Sequence, residues 1–187
     1  MLLNKLPVLD KGYVALVSSS NNGETLRDIM KLTNLQFHEL VPLSSLTLAI
    51  KAPLFVQLYL SKFRFDILNI LQEKPEAFTP DLTDVNSPDP AVGTMIAEDI
   101  KVTTAALLIN PKAYQKDGCD YFISQVITPI SVYNELIVHG PLEQWLKFTQ
   151  SMADVPKPVQ AYILAVSDII RNEWKHEQKE APQTDSI

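Results

Sequence analysis

The chain has 187 residues, of which 46% are hydrophobic and 20% charged, and its formal net charge is −6 at pH 7. This length and composition predict one compact domain, and the acidic balance argues against general nucleic-acid binding. The single cysteine, Cys119, excludes an internal disulfide framework and favours a reducing setting. A catalytic thiolate is the alternative for Cys119, but no histidine lies near it in sequence to lower its pKa.

Targeting and membrane signals are weak in this sequence. No segment approaches the roughly 20 apolar residues that a membrane span requires, and polar residues interrupt the amino-terminal stretch before it resembles a signal peptide. We therefore expect a protein of the cytoplasm, in a cell or in an infected host cell, with no membrane partner. The expected domain covers residues 1–175, and the polar residues 176–187 predict a disordered tail.

The amino-terminal elements are predicted to be two strands with a helix between them. The first strand is GYVALVSSS, which ends in a turn of Ser, Asn and Gly, and the helix is ETLRDIMKLTN. The second strand is LSSLTLAIKAP, in which Leu46, Leu48 and Ile50 fall on one face at a period of two and Pro53 ends the run.

A further helix is predicted to begin at Pro53, where a missing backbone N–H costs nothing, and to end between Arg64 and Lys74. Residues 73–93 follow with four prolines and five acidic residues, a composition that makes regular structure unfavourable. We expect a long surface loop here, either a functional lid or a disordered segment.

The carboxy-terminal half predicts a helix in TMIAEDIKVTTAALLIN that stops at Pro111, a helix running into Pro129, and a strand from about Ser131 to His139. The stretch PLEQWLKFTQSM predicts a short helix with proline at its start. Because the elements lack a regular βαβ rhythm, we expect an α+β fold whose mostly antiparallel sheet is covered by helices. The last helix carries an apolar stripe made of Val159, Tyr162, Ile163, Val166, Ile170 and Trp174.

Common catalytic motifs are missing from the sequence. It contains no glycine-rich phosphate loop, no G-x-S-x-G and no H-E-x-x-H. His38 is far from the other two histidines in sequence, so we expect no metal site and interpret it most simply as a loop or helix-end residue. Lys62 and Arg64 either bind a phosphate or belong to a solvated helix end. Residues two positions apart on a helix face different ways, so one of the two can line a pocket while the other points to solvent.

Three stretches resemble, in order and rough spacing, the landmarks of flavin-dependent thymidylate synthases. They are VLDKGYVALV, LTLAIKAPLFV and TPISVYNELIVHGPLEQWLKFTQSMADVPKPVQAYILAVSDII, within residues 8–172. That family has ILDKGFVELV, a strand-to-helix corner KAPIFVARQWFRHR, and a carboxy-terminal strand with a tyrosine, a short helix ending in NLRAD and a long helix. The resemblance implies a homotetramer of α+β subunits that binds FAD and dUMP at its interfaces and transfers a methylene group from methylenetetrahydrofolate.

The family's signature is degenerate in this chain. Its R-H-R-x7-S pattern falls on Lys62, Phe63, Arg64 and Gln72, so one arginine is kept, the other is a lysine, and the flavin-contacting histidine is a phenylalanine. The glutamine before the signature, a nucleotide contact in the family, is Tyr59 in this chain.

Other ligand positions of the family are changed as well. Asn69 matches, but the glutamate after it is Ile70. The arginine that orients the pyrimidine is Met152, and an arginine after the strand tyrosine is Glu135. A carboxylate in place of a phosphate-facing arginine reverses the local field, and methionine cannot form the bidentate grip of an arginine.

The resemblance leaves two sets of candidate residues and no assignable catalytic residue. His38, in HELVP, matches the histidine of the family's HETP. Gln150 stands where the family has a flavin-binding asparagine. The resemblance therefore makes His38 and Gln150 weak candidates for contacts to the cofactor. FAD binding is therefore implied by the family but expected to be lost. The candidates for binding a nucleotide are Lys62, Arg64, Asn69, Lys74 and Tyr59, and those for binding the cofactor are His38 and Gln150.

Three functions remain open on this sequence. The first is a divergent thymidylate synthase-like pseudoenzyme that binds a nucleotide or a protein partner. The second is an active enzyme of pyrimidine nucleotide metabolism that modifies dUMP or dCMP, with His38 or Tyr59 handling a proton. The third is an unrelated α+β interaction protein that uses the 73–93 loop and the stripe ending at Trp174 as contact surfaces.

Overall fold

A five-stranded antiparallel sheet with helices forms this α+β protein. The computed structural model describes residues 4–21, 23–33, 36–70, 76–80, 88–116, 130–153 and 155–174. The strands are β1 (Lys5–Val8), β2 (Gly12–Ser20), β3 (Ser45–Pro53), β4 (Asp66–Ile70) and β5 (Tyr133–Pro141). The helices are α1 (Gly23–Thr33), α2 (Phe37–Leu40), α3 (Leu54–Leu60), α4 (Pro90–Lys116), α5 (Leu142–Gln150) and α6 (Lys157–Glu173), with a 3-10 turn at Val41–Leu43.

Strand β3 lies at the centre of the sheet, whose order is β1-β2-β3-β5-β4. Leu46, Leu48 and Ile50 are buried, which confirms the face predicted from their period of two. Helices α5 and α6 pack against the sheet on this side. In the core, Trp145 of α5 is fully buried and donates a hydrogen bond from Nε1 to the Leu46 carbonyl at 3.0 Å.

The apolar stripe of α6 is confirmed as the other half of the core. Val159, Tyr162, Ile163 and Val166 are buried, and Trp174 is buried just past the end of the helix. Because these side chains recur at helical spacing, one side of α6 can face the sheet along its whole length.

The amino-terminal strand forms a hairpin that the sequence did not predict. Strands β1 and β2 pair through residues such as Val8 and Gly12, and Leu9 has a φ of 57° in the turn between them. A Cβ at Gly12 would overlap Tyr162 Oη and lie 2.7 Å from the Val8 carbonyl, so only glycine fits here.

Three predicted boundaries are wrong. Helix α3 ends at Leu60 and the chain then forms strand β4, where the sequence suggested a continuing helix. Helix α4 begins at Pro90, inside the expected loop, and its backbone passes through Pro111 to Lys116. A proline removes one helical hydrogen bond and weakens a helix, but neighbouring turns can carry the helix past it.

Several expectations lie outside the described residues. They concern Cys119, Gln72 and Lys74, the helix expected before Pro129, and the tail 176–187. Within the described helices, none is long and apolar enough to cross a membrane.

Candidate functional site

The candidate site lies where β3 turns into α3 and α3 into β4. Pro53 ends β3 with a φ of −59°, which its ring favours, and precedes the first residue of α3. The first two N–H groups of the helix, at Leu54 and Phe55, donate to the Val132 and Ile130 carbonyls at 2.9 and 3.0 Å. The first N–H groups of a helix have no partner within the helix. Here their bonds to the chain that enters β5, together with the preceding strand β3, fix the direction of α3.

The chain then turns through residues 61–65, which we call the corner. The Lys62 N–H donates to the Tyr59 carbonyl at 3.1 Å, and the Phe63 N–H donates to the Leu60 carbonyl at 3.0 Å. These bonds end the helix in one tight turn, so the corner presents Lys62, Phe63 and Arg64 together.

An aromatic cluster fills the inner side of the corner. Phe63 lies 5.5 Å from Phe148 in an edge-to-face contact, and Phe65 lies 4.2 Å from Trp145 between ring centroids. Phe148 and Trp145 are fully buried. The position where the resemblance implies a flavin-contacting histidine is therefore packed against the hydrophobic core. The cluster consists of Tyr59, Phe63, Phe65, Trp145 and Phe148.

Tyr59 belongs to this cluster and uses its hydroxyl to hold the chain after α5. Its Oη lies 2.9 Å from Ser151 Oγ and 3.2 Å from the Ser151 carbonyl. Ser151 Oγ donates to the Phe148 carbonyl at 2.6 Å, so it is free to accept from Tyr59. The candidate nucleotide contact at Tyr59 is thus engaged in joining α3 to the end of α5.

Two cations remain at the outer side of the corner. Lys62 is exposed, with Nζ 4.7 Å from the centroid of the Tyr59 ring, a cation–π distance. Arg64 is exposed, and among the described residues it has no carboxylate within ion-pair distance. A guanidinium with no carboxylate partner can bind a phosphate through two parallel hydrogen bonds.

Asn69 lies in a chain of three hydrogen-bonded side-chain amides that no sequence motif marks. Gln57 Nε2 donates to Asn69 Oδ1 at 2.8 Å, and Asn134 Nδ2 donates to Gln57 Oε1 at 3.2 Å. The three residues come from β4, α3 and β5, and we call them the amide chain. No local signal marks Gln57 or Asn134, because amides are common on helices and strands and only the register of the sheet brings these together.

The remaining candidates are not joined to the corner. His38 on α2 and Gln150 at the end of α5 are both exposed. No hydrogen bond or ion pair within the described ranges connects either residue to Lys62 or Arg64. Met152 is half-buried and packs against the core, so an apolar contact occupies the position where the resemblance implies an arginine.

A second polar cluster lies at the β1–β2 turn. Tyr133 Oη donates to Asp10 Oδ1 at 2.5 Å, and Tyr162 Oη donates to the Lys51 carbonyl at 2.7 Å. Burial, followed by the hydrogen bond to Asp10, raises the pKa of Tyr133 above its usual range. Burial and then the charge of Asp10 raise the pKa of Tyr162. Both phenols therefore stay protonated and act as hydrogen-bond donors.

Residues 76–80 of the expected loop are bound to this cluster. Lys51 Nζ forms an ion pair with Glu76, and the Tyr133 N–H donates to the Glu76 carbonyl at 2.8 Å. The hydrogen bond from Lys51 lowers the pKa of Glu76, although desolvation opposes it. Lys11 Nζ donates to the Ala77 carbonyl at 3.1 Å. These contacts hold residues 76–80 against the ends of β3 and β5, the inner strands that carry Lys51 and Tyr133.

Among the described residues, no three His, Cys, Asp or Glu side chains are grouped so that they could hold a metal ion. Comparison with known proteins assigns no family either: no family model matches the chain, and a search of curated proteins gives no significant match.

Proposed function

We propose that this protein is a divergent flavin-dependent thymidylate synthase-like protein that has lost the methyl-transfer reaction and binds a nucleotide through its phosphate. The observation that carries the proposal is the aromatic cluster. It packs the half-buried Phe63 against the core at the position where the resemblance requires a histidine that contacts the flavin.

The scaffold part of the proposal is supported by how the resembling stretches fold. VLDKGYVALV covers the last residue of β1, the turn after it and most of β2, and KAPLFV forms the end of β3 and the start of α3. The carboxy-terminal stretch forms strand β5 and helices α5 and α6. These elements follow the order of strands and helices that the family resemblance implies.

The loss of the reaction is supported by the side chains at the ligand positions. The corner does not fit a flavin, because the cluster turns Phe63 into a packing residue and Tyr59 donates its hydroxyl to Ser151. Glu135 faces Lys51 and Ile70 across neighbouring strands, where an arginine would be needed to hold a nucleotide. A polar ligand would have to displace apolar contacts to enter this side of the corner.

Nucleotide binding is supported by the cations that remain. Lys62 and Arg64 are both exposed in the corner, and Arg64 has no carboxylate partner in the described part of the chain. A phosphate bound between them would gain charge-assisted hydrogen bonds without requiring the flavin.

The amide chain favours a second candidate, an enzyme that modifies the pyrimidine of dUMP or dCMP. Asn69, Gln57 and Asn134 form a row of donors and acceptors, the kind of groups that recognise the edge of a base. The proton carriers suggested for it are poorly placed, since Tyr59 is bonded to Ser151 and His38 is not joined to the corner. Incubation with each nucleotide and chromatography of the products decides this candidate, and a new product in either mixture would support it.

Isothermal titration with dUMP, dCMP and inorganic phosphate tests the proposal. We expect binding to the wild-type protein and a rise in Kd of about tenfold to a hundredfold in Arg64→Ala, the loss expected for one charged hydrogen-bonding group. Arg171→Ala is the matched control, because Arg171 is exposed on α6 and paired with Asp168. A Kd unchanged by Arg64→Ala, or no binding of any of the three ligands, would overturn the proposal.

A further inference from the structure

Residues 76–80, which we call the strap, lie beside the chain that enters β5. The Tyr133 N–H donates to the Glu76 carbonyl and the Phe78 N–H donates to the Ser131 carbonyl, both at 2.8 Å. An isolated antiparallel bridge lies between these two bonds. The strap is therefore paired with the sheet over one short stretch, whereas β3 is paired with a neighbour on both sides along most of its length.

The strap covers part of the first turn of α3. Ala77 and Phe78 are 5% and 8% exposed, and the Phe78 ring meets the Phe55 ring edge-on with centroids 6.0 Å apart. The Phe55 N–H donates to the Ile130 carbonyl, so the strap and α3 bind neighbouring residues of one segment. If the strap opened, it would uncover the Phe55 ring and a backbone edge next to α3.

Charged side chains also hold the strap. Lys51 Nζ, on β3, forms an ion pair with the Glu76 carboxylate, and Lys11 Nζ, in the β1–β2 turn, donates to the Ala77 carbonyl at 3.1 Å. The Lys51 hydrogen bond lowers the pKa of Glu76, desolvation opposes this, and the charges of Lys51 and Lys11 lower it further. Glu135 on β5 lies opposite Lys51 in the register and is a second carboxylate on that face of the sheet.

The far end of the strap is held by Asp10. The Thr79 N–H donates to Asp10 Oδ2 at 3.4 Å, and Tyr133 Oη donates to Oδ1 at 2.5 Å. Lys11 Nζ lies 3.9 Å from the same Oδ2, and the charge of Asp10 also reaches Tyr162 of α6. Lysines and phenols keep their protons in neutral and acidic solution. Among the groups that face the strap, only the carboxylates therefore change charge as the pH falls.

We infer that the strap is an acid-sensitive device, which opens as a unit when Glu76 takes up a proton while the sheet stays folded. Protonation removes the ion pair with Lys51, and two backbone hydrogen bonds and the cover of two apolar side chains then hold the strap. So few contacts make it less stable than the sheet. The inference concerns the strap alone and does not depend on the nucleotide proposed for the corner.

Thiol labelling of the full chain tests the opening, with Cys119→Ser as the background. Ala77→Cys places a thiol in the strap, and Ala52→Cys places one in β3, where Ala52 is fully buried. Dithiodipyridine reacts with thiols in acid, and each rate is divided by that of a cysteine peptide at the same pH. The contribution of Glu76 is fully present above the ordinary pKa of 4.5 and is lost below it.

We expect labelling of Ala77→Cys to rise about threefold to tenfold from pH 7 to pH 3, the effect of losing one partly exposed ion pair. Labelling of Ala52→Cys should stay slow over the same range. A constant rate for Ala77→Cys, or a rise in step with Ala52→Cys, would overturn the inference, because the second result would mean that the whole sheet unfolds.

Glu76→Gln tests the cause of the opening in the Ala77→Cys protein. This substitution removes the charge and keeps the size, so labelling should be faster at pH 7 and should no longer respond to acid. Glu143→Gln is the matched control, because Glu143 forms an exposed ion pair with Lys147 on α5, and it should change neither property. An acid response that persists in Glu76→Gln would contradict the assignment to Glu76.

Hydrogen exchange of the wild-type protein tests the same opening without a cysteine in the strap. The Phe78 and Tyr133 amides donate across the strap and should lose protection together in acid. The Leu54 amide donates to the Val132 carbonyl in the adjoining segment and should keep its protection. An equal loss of protection at all three amides would mean that the strap does not open as a separate unit.

Discussion

Phe65 packs on Trp145 with ring centroids 4.2 Å apart and ring planes inclined by 31°. The contact joins the start of β4 to α5, and Trp145 is in turn fixed by its hydrogen bond to the Leu46 carbonyl. The path of the chain through the corner is therefore set by aromatic packing. The exposed cations Lys62 and Arg64 lie on its outer side.

Gly140 makes room for this packing and should not tolerate a side chain. A Cβ at Gly140 would lie 2.5 Å from Cδ1 and 3.0 Å from Cε1 of Phe65, closer than real Cβ atoms approach. We expect Gly140→Ala to lower the free energy of unfolding by about 1 to 3 kcal/mol through overpacking. In a Phe65→Ala background the same substitution should cost less, because its neighbour is gone. Equal costs in chemical denaturation of both backgrounds would show that Phe65 is not the cause.

Placing at the corner the histidine that the resemblance implies should not produce flavin binding. Phe63→His replaces an aromatic ring in the cluster by a polar imidazole, so we expect the free energy of unfolding to fall by about 1 to 3 kcal/mol. Leu58→His is the control, because Leu58 is 55% exposed on α3 and should lose little stability. Thermal unfolding with and without FAD measures both effects. If FAD raised the Tm of Phe63→His but not of wild type or Leu58→His, this one substitution would be enough to allow FAD binding, which would contradict the prediction.

Acid should remove a contribution from the ion pair of Lys51 with Glu76. The pKa of Glu76 is lowered in the folded protein, first by the hydrogen bond from Lys51. The stabilisation is therefore present above the ordinary carboxyl pKa of 4.5 and is lost as the pH falls through the lower folded value. We expect Glu76→Gln to be less stable than wild type at pH 7 and to approach it in acid. Urea midpoints between pH 3 and 7 measure this, and a constant difference would contradict it.

Alkaline pH should destabilise the protein through the two buried phenols. The folded pKa values of Tyr133 and Tyr162 are raised above the ordinary 10.0. Their stabilisation is fully present below pH 10.0 and is lost above it, because the unfolded chain releases the phenolic protons first. Urea midpoints of wild type and the double variant Tyr133→Phe and Tyr162→Phe should therefore converge as the pH rises past 10.0. If the urea midpoints of the two proteins fell in parallel with pH, the two phenols would not be the cause of the loss of stability at alkaline pH.

The sequence predicted the elements whose burial follows a clean period. Leu46, Leu48 and Ile50 alternate on β3, and the stripe of α6 recurs at helical spacing, so both were found with their buried faces. Strand β4 was missed because it lies at the sheet edge, where Leu68 is 66% exposed and no alternation marks it. Strand β1 was missed because it is only four residues long, too short to show an alternating pattern.

The candidate site was predicted in part, for a related reason. The strand-to-helix transition could be predicted from KAPLFV because it is a local motif, but the sequence placed Lys62 and Arg64 on a continuing helix, where the structure has a turn. The roles of Tyr59 and Asn69 could not be predicted, because their partners are distant in sequence. Ser151 is 92 residues from Tyr59, and Asn134 is 77 residues from Gln57, so both contacts depend on the sheet register.

Flavin occupancy is the most direct test of the central claim that the corner is packed and no longer holds the cofactor. The wild-type protein is incubated with excess FAD, freed of unbound ligand by gel filtration, and measured by its visible absorbance, followed by an assay for dTMP formed from dUMP and methylenetetrahydrofolate. The account predicts a colourless protein and no dTMP. A yellow protein carrying about one FAD per subunit, with dTMP formation that Phe63→Ala changes, would contradict it.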